Sequence, residues 1–319
     1  MKVLVTSASF QDTPGQHHQL LASLNYDVTF LKGPVNEPQL TSIIGGFDGM
    51  LCGDDNVTAE VLRAGKAGML KYVSKYGVGV DNINVAEAKA LQIPVTNCPG
   101  VNQVSVAEHV FALLLSFARN IHQQYAITRA GGWQKMTGFE ISNKTIGIIG
   151  FGAVGWEVAK RAKVFGMKVL VATSHANEAV MGELGYQLAE SINHLAQVAD
   201  VITLHVPLNN QTRGLVNMAF VNCLKPGAVL INTARGSLVQ TDALLAGLAT
   251  GKIGGYLADV LEVEPMPADY PLKDLPGVLI TSHIGSRTSE SVQRQGVMAV
   301  ENLANMIKGN IAGYKQHLV

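Results

Sequence analysis

Cysteine is scarce in this chain: three among 319 residues, Cys52, Cys98 and Cys223, scattered and in no metal-ligand spacing. That excludes a disulfide framework, favours a reduced, cytoplasmic setting, and makes the thiols small buried hydrophobes rather than nucleophiles. An excess of charge is missing too, with 24 Lys and Arg against 24 Asp and Glu. A net charge of zero gives no pull toward nucleic acid or an acidic partner, so any ligand has to be recognised by local charges. No apolar run reaches membrane-spanning length, and Val110–Leu115 is only core-sized, so no membrane partner is expected. The opening residues pass directly into a strand-like VLV with no basic segment before an apolar run, so no secretory leader is expected. HExxH and cysteine pairs are absent, and the adjacent His17 and His18 should point to different helix faces; no metal is expected.

What is present is a globular balance, 47% hydrophobic and 15% charged, in a chain long enough for two domains. Strand candidates at Val3–Thr6, Val28–Leu31, Gly49–Cys52, Tyr72–Ser74 and Leu91–Thr96 alternate with helix candidates at Gln16–Leu24 and Ala59–Ala64. This rhythm predicts a small α/β domain with a mostly parallel sheet, closed by the break at Pro99 and Gly100. Val106–Phe117 is apolar nearly all round and should be a buried helix, between domains or subunits. Trp133, after a Gly-Gly pair, is expected in a loop packed against a neighbour. A second α/β series begins at Thr145. Its strands are expected at Ile146–Ile149, Lys168–Val171, Val201–Leu204, Val229–Asn232, Tyr256–Ala258 and Val278–Thr281, the layout of a doubly wound sheet. Glu290–Met306 reads as one more amphipathic helix.

The clearest local signal is the GxGxxG of Gly150, Gly152 and Gly155, set between an apolar strand and an amphipathic helix that opens with Ala153 and Val154. Gly150 permits the tight turn, Gly152 lets backbone approach a pyrophosphate, and Gly155 lets helix and sheet close up. The helix N-terminus adds N–H donors and a favourable dipole for phosphate. A glycine-lined turn without a ligand is the alternative. The next strand ends in Thr173, Ser174 and His175, with no acid for the ribose hydroxyls until Glu178. An absent carboxylate removes repulsion against a 2′-phosphate, and the hydroxyls can donate to one, but no Arg stands ready to clamp it. NADP is therefore placed slightly ahead of NAD.

Three charged residues follow successive strands of this series: Arg235, Glu264 and His283. Each has an ordinary reading, as a capping or surface arginine, a turn carboxylate before Pro265, or a histidine at a helix cap or domain edge. Placed together at the C-terminal edge of a parallel sheet, they can surround one small acid: a cation for its carboxylate, and a proton donor with a partner for its carbonyl.

With these motifs in hand, the chain resembles the D-isomer-specific 2-hydroxyacid dehydrogenase family. The resemblance rests on KYGVGVDNI from Lys75, NCPG from Asn97, VAEHVFALLL from Val106, GIIGFGAVG from Gly147, HVPL from His205, INTARG from Ile231, ADVLEVEP from Ala258 and SHIG from Ser282, in family order over nearly the whole chain. It implies hydride transfer between NADP or NAD and a small 2-oxo or 2-hydroxy acid. His283 matches the acid/base, Glu264 the carboxylate that pairs with it and raises its proton affinity, and Arg235 the arginine that binds substrate carboxylate. Backbone N–H groups near Val78 and Gly79 match a second hold on that carboxylate. Asp259 matches the residue that orients the nicotinamide carboxamide, while His205, Pro207, Thr212, Thr233, Ala234 and Gly285 fall along the cofactor groove; the ribose acid maps near Thr173, where this chain departs from the NAD pattern. The implied architecture is a Rossmann-type doubly wound cofactor domain, 100–284, inserted in a smaller flavodoxin-like α/β substrate domain, 1–99 plus 285–319. The helix from Val106 resembles the segment that supports the family's homodimer.

A D-3-phosphoglycerate dehydrogenase is an alternative, compatible with KYGVGVDN. Against it, LCGDDNVT lacks the Arg common before VT in that branch, no room for a regulatory module follows the tail helix, and only Lys75, Lys135 and Arg287 are conceivable phosphate cations. A dinucleotide-sensing binding protein is a further alternative, opposed by the retained Arg235, Glu264 and His283.

Overall fold

The computed structural model describes residues 1–174, 178–314 and 318, and side chains except those of 178–180. The chain forms two compact units, Met1–Asn102 with Arg287–Val319, and Gln103–Ser286.

In the first unit the short apolar segments become β1 (Lys2–Val5), β2 (Asp27–Phe30), β3 (Gly49–Cys52), β4 (Tyr72–Lys75) and β5 (Val95–Thr96). All pair in parallel in the order β2-β1-β3-β4-β5, the flavodoxin-like arrangement. Parallel strands are covered on both faces, so β3 is an unbroken buried run rather than an alternating one. The tail helix Ser289–Ile307 starts on a Thr288 cap, whose Oγ1 accepts from the Ser291 N–H at 3.2 Å. It packs Val292, Val300 and Leu303 with Val3, Val5 and Leu51, and the buried Ser74 hydroxyl donates to the Ala299 carbonyl at 2.8 Å.

The second unit carries β6 (Thr145–Ile149), β7 (Lys168–Ala172), β8 (Gln187–Leu188), β9 (Val201–Leu204), β10 (Ala228–Asn232), β11 (Ile253–Ala258) and β12 (Val278–Ile280). The order β12-β11-β10-β9-β6-β7-β8, parallel throughout, is doubly wound, with the reversal between β6 and β9. Alternate residues feed two cores: Ile149, Leu204, Leu230 and Tyr256 on one face, Ile148, Val201, Ile231 and Leu257 on the other. The helix Gln103–Ala118 joins the second core through Val110, Phe111 and Leu114. Among the described residues no single helix is long and apolar enough to cross a membrane; this one reaches that length only when paired with Ile121–Arg129 across a 62° bend.

Several local expectations differ from what forms. The Leu91–Thr96 strand shrinks to Val95–Thr96, because Leu91 caps the helix Val85–Ala90 and Gln92 adopts φ +55°. Strand β11 begins three residues earlier than its apolar pattern, at Ile253. Its glycines are demanded by packing: a Cβ on Gly255 would lie 2.5 Å from the Phe117 ring. His17 and His18 do not point apart. At the start of the short helix Gln16–Ser23 their rings stand 4.3 Å from each other and both face Phe10. Trp133 is 88% exposed within this chain instead of packed. Of the cysteines, Cys52 and Cys98 are buried, and burial pushes each thiol up to about 12; Cys223 is half-buried.

Candidate active site

The glycine turn is shaped by close approach on two sides and openness on the third. Gly150, at φ +95°, sits where a Cβ would be 2.5 Å from the His205 carbonyl, so the turn after β6 touches the end of β9. Gly155 lets its helix settle on the same turn, since a Cβ there would be 2.2 Å from the Gly150 carbonyl. Gly152 meets nothing within 4 Å. It is the N-cap of the helix Ala153–Val164 and offers no side-chain acceptor to the first-turn N–H groups. This is a cradle that a side chain would fill and an anionic ligand suits. Next to it in the sheet, β7 ends at Ala172, followed by half-buried Thr173 and exposed Ser174. His175 lies outside the described residues, as does the side chain of Glu178.

Beyond β9, His205 Nε2 lies 2.9 Å from the Thr203 hydroxyl, and burial of the ring pushes its pKa down to about 3, keeping it neutral. Thr212 donates to the Pro207 carbonyl at 2.7 Å, closing the following loop. The buried Thr233 hydroxyl, after β10, has no hydrogen-bond partner among the described residues. An orphaned hydroxyl is costly unless a ligand or water completes it. The open Gly152 cradle and the Thr233 hydroxyl both fit a bound dinucleotide.

The three charged candidates stand at the ends of neighbouring strands β10, β11 and β12. Buried Asn232 shapes the first loop: its amide donates to the Arg235 carbonyl at 2.9 Å, and its carbonyl accepts from the Ala234 N–H at 3.1 Å. The Arg235 Nη1 donates to the Ala234 carbonyl at 2.7 Å. Gly236 is obligatory next, because a Cβ would fall 1.9 Å from the Leu261 carbonyl carbon. The Arg235 loop therefore lies flush on the loop leading to Glu264. There, Glu264 Oε1 accepts from the Leu261 N–H at 2.8 Å and Oε2 stands 2.7 Å from His283 Nδ1. A carboxylate on Nδ1 fixes the proton there and leaves Nε2 as the exchanging nitrogen. Both side chains are about a third exposed, so a small molecule can reach them.

Asp259, 2% exposed, is the most enclosed acid here. Its carboxylate accepts from the Thr281 hydroxyl at 2.6 Å, the Ile284 N–H at 2.9 Å and the Gly285 N–H at 2.7 Å. His109 Nε2 stands 3.3 Å away. Burial works to raise its pKa, but the bonds from His109, Thr281 and the Ile284 backbone outweigh it and hold the group below the usual carboxylate range. His109 was not singled out from the sequence; the only signal was a histidine inside an apolar helix. Val78 and Gly79 belong to the first unit, in the loop after β4. There the Val78 carbonyl accepts from the Asn97 amide at 2.7 Å.

Residues 111–285 match the family model described as D-isomer specific 2-hydroxyacid dehydrogenase, NAD binding domain. The chain belongs to that family. It is similar to a D-3-phosphoglycerate dehydrogenase of Methanocaldococcus jannaschii, 39% identical over 80% of this chain and 49% of that one. It is also similar to a glyoxylate reductase of Thermofilum pendens, 36% identical over 87% of this chain and 84% of the relative. The chain spans about half the length of the D-3-phosphoglycerate dehydrogenases it matches. Among solved structures, D-lactate dehydrogenase from Aquifex aeolicus, complexed with NAD and lactic acid, superposes with a TM-score of 0.86 at 28% identity, covering 99% of this chain and 98% of that one. The flavodoxin-like and doubly wound sheets are thus the family's architecture.

The two glycines separate binding from folding. Gly152→Val, in open space at an ordinary φ, should leave the thermal midpoint within a few degrees while weakening NAD(P)H binding by at least about tenfold. Gly155→Val should instead lower stability by about 1–3 kcal/mol through overpacking. Unchanged cofactor affinity in the Gly152 variant, read by fluorescence titration, would remove this cradle from the binding site.

Proposed function

We propose that the chain reduces a small 2-oxo acid to the D-2-hydroxy acid, reversibly, at the expense of NADPH or NADH. The observation that carries the reading is the 2.7 Å His283–Glu264 pair, set beside the Arg235 loop and on the same sheet edge as the glycine cradle. Bound nicotinamide would supply or accept the hydride. In this reading His283 Nε2 delivers the proton to the carbonyl oxygen, Glu264 holds the ring's tautomer and direction, and the Arg235 guanidinium grips the substrate carboxylate. The unit 103–286 serves as the dinucleotide domain, and the first unit as the substrate domain. Two of the three cations that a phosphorylated substrate would call on are already engaged: the buried Lys75 ammonium donates to the Gly53 carbonyl and lies 3.5 Å from Asp54, and Arg287 pairs with Asp12 at 2.7 Å, which leaves exposed Lys135. The three free thiols suit a reducing, cytoplasmic setting.

The His283→Ala variant should keep cofactor affinity and lose about 10²–10⁴-fold in turnover on whichever of glyoxylate, hydroxypyruvate or pyruvate the wild type prefers. Stopped-flow turnover near the wild-type rate would defeat the assignment.

On cofactor choice, the strand end with Thr173 and Ser174 in place of an acid supports use of NADPH at least equal to that of NADH. Thr173→Asp adds an acceptor for ribose hydroxyls and a charge that repels a 2′-phosphate, and should swing the kcat/KM ratio toward NADH. A wild-type ratio strongly favouring NADH would overturn the preference.

The assembly proposed is a homodimer. The helix Ile121–Arg129 buries none of its residues, and Ile121, Tyr125 and Trp133 are 58%, 62% and 88% exposed, more apolar surface than a lone surface residue explains. Sedimentation should give twice the 33.9 kDa chain mass. Tyr125→Asp with Trp133→Ser should shift it to one, and a monomeric wild type would refute the dimer.

A further inference from the structure

The turn that carries His283 is conformationally unfavourable on its own. His283 adopts φ +55°, in the left-handed region that non-glycine residues seldom occupy and enter at a cost, although histidine, like Asn and Asp, does so more readily than most. Something must hold it, and the contacts converge on Asp259. Its backbone carbonyl accepts from the His283 N–H at 2.8 Å, and its carboxylate takes the next two N–H groups, of Ile284 and Gly285. Gly285 is needed for that approach, since a Cβ would lie 2.8 Å from Asp259 Oδ2.

The carboxylate is itself positioned from outside the turn. Thr281 spends its one hydroxyl proton on Asp259 Oδ1 at 2.6 Å, so its oxygen is an acceptor toward His109 Nε2 at 2.9 Å. The histidine must then carry its proton on Nε2, directed at the Thr281 oxygen and, at 3.3 Å, at Asp259 Oδ1. His109 is mostly buried on the helix Gln103–Ala118, whose apolar face is locked into the core, so its ring is fixed with that helix.

We propose that His109 is a positioning residue: through Thr281 and Asp259 it holds the turn that aims His283 at Glu264. The inference rests on the reading of His283 as acid/base. It adds a residue, 172 positions away from Thr281 in sequence, whose work is orientation and not proton transfer. Loss of the anchor lets the Asp259 carboxylate shift and the left-handed turn relax. A misplacement of about 1 Å in a reacting group costs on the order of 10²-fold in rate.

The test compares His109→Leu, His109→Gln and Thr281→Val. In the cofactor-free protein, the Nδ1–H proton of His283 is followed by NMR, identified by its loss in His283→Asn. In His109→Leu this resonance should move or vanish, and kcat should fall about 10–100-fold with the keto-acid KM within about twofold. His109→Gln, which restores an N–H donor at the same reach, should recover the resonance and most of kcat. Thr281→Val should resemble His109→Leu, and carries the test if that variant does not fold. An unmoved resonance and unchanged kcat in a folded His109→Leu would overturn the proposal, as would a glutamine variant no better than leucine, since the histidine would then act by packing alone. If the wild type turns over no 2-oxo acid, the catalytic reading fails, while the NMR comparison still decides whether His109 sets the His283–Glu264 contact.

Discussion

Parallel pairing of β6 with β7 on one side and β9 on the other is the constraint from which the remaining geometry follows. Parallel neighbours require crossovers, so each strand delivers its C-terminal end to one edge of the sheet. At β6 the chain winds away in both directions, which opens a crevice at that edge. The glycine turn can sit there only because Gly150 tolerates the His205 carbonyl at a distance where any Cβ would collide. From there outward, β10, β11 and β12 each deliver one charged side chain to the same edge. Gly236 presses the first of their loops onto the second. Small residues thus act as much as charged ones in bringing distant chemistry together.

Electrostatics then separates the acids at this edge. Asp259 is buried and its charge must be paired, because an unpaired carboxylate in that position would be prohibitively costly. Its donors come from the turn it restrains and from a helix on another side. Loss of any one donor is therefore felt as a change of shape in the turn. Half-buried His205 shows the opposite solution: desolvation of its ring keeps it uncharged, so it adds polarity at the end of β9 without a buried charge.

Much of this was legible in the sequence where chemistry and local order coincide. Arg235, Glu264 and His283 each follow an apolar strand within a few residues, so period and punctuation alone place them at one sheet edge. The glycine turn was readable for the same reason, as strand, turn and helix are contiguous. His109 was not legible in this way. Its partner Thr281 is remote in the chain, and inside an apolar helix a histidine reads as a core residue. The start of β11 was hidden because Gly254 and Gly255, weak strand formers, are selected by their contact with Gly227 and Phe117. The opposed faces expected of His17 and His18 failed because helical periodicity is loose in the first turn of an eight-residue helix, where Phe10 offers both rings one surface. Trp133 was expected to pack against a neighbour, and nothing in this chain covers it.

Glu264 and Asp259 lie five residues apart on one loop, yet their surroundings fit them for different work. Glu264 keeps one oxygen on the Leu261 backbone and gives the other to His283, while about a third of its side chain stays accessible. In the proposed reaction it offsets the charge that appears on the imidazole, and water can reach the pair. Asp259 has its oxygens committed to four donors and almost no exposure, so it responds poorly to protonation but strongly to displacement. A site in which one carboxylate pairs with an imidazole and another holds a backbone turn gains by keeping these duties on separate groups. A single acid accessible enough to sense the imidazole charge would be too solvated to hold a left-handed turn in place.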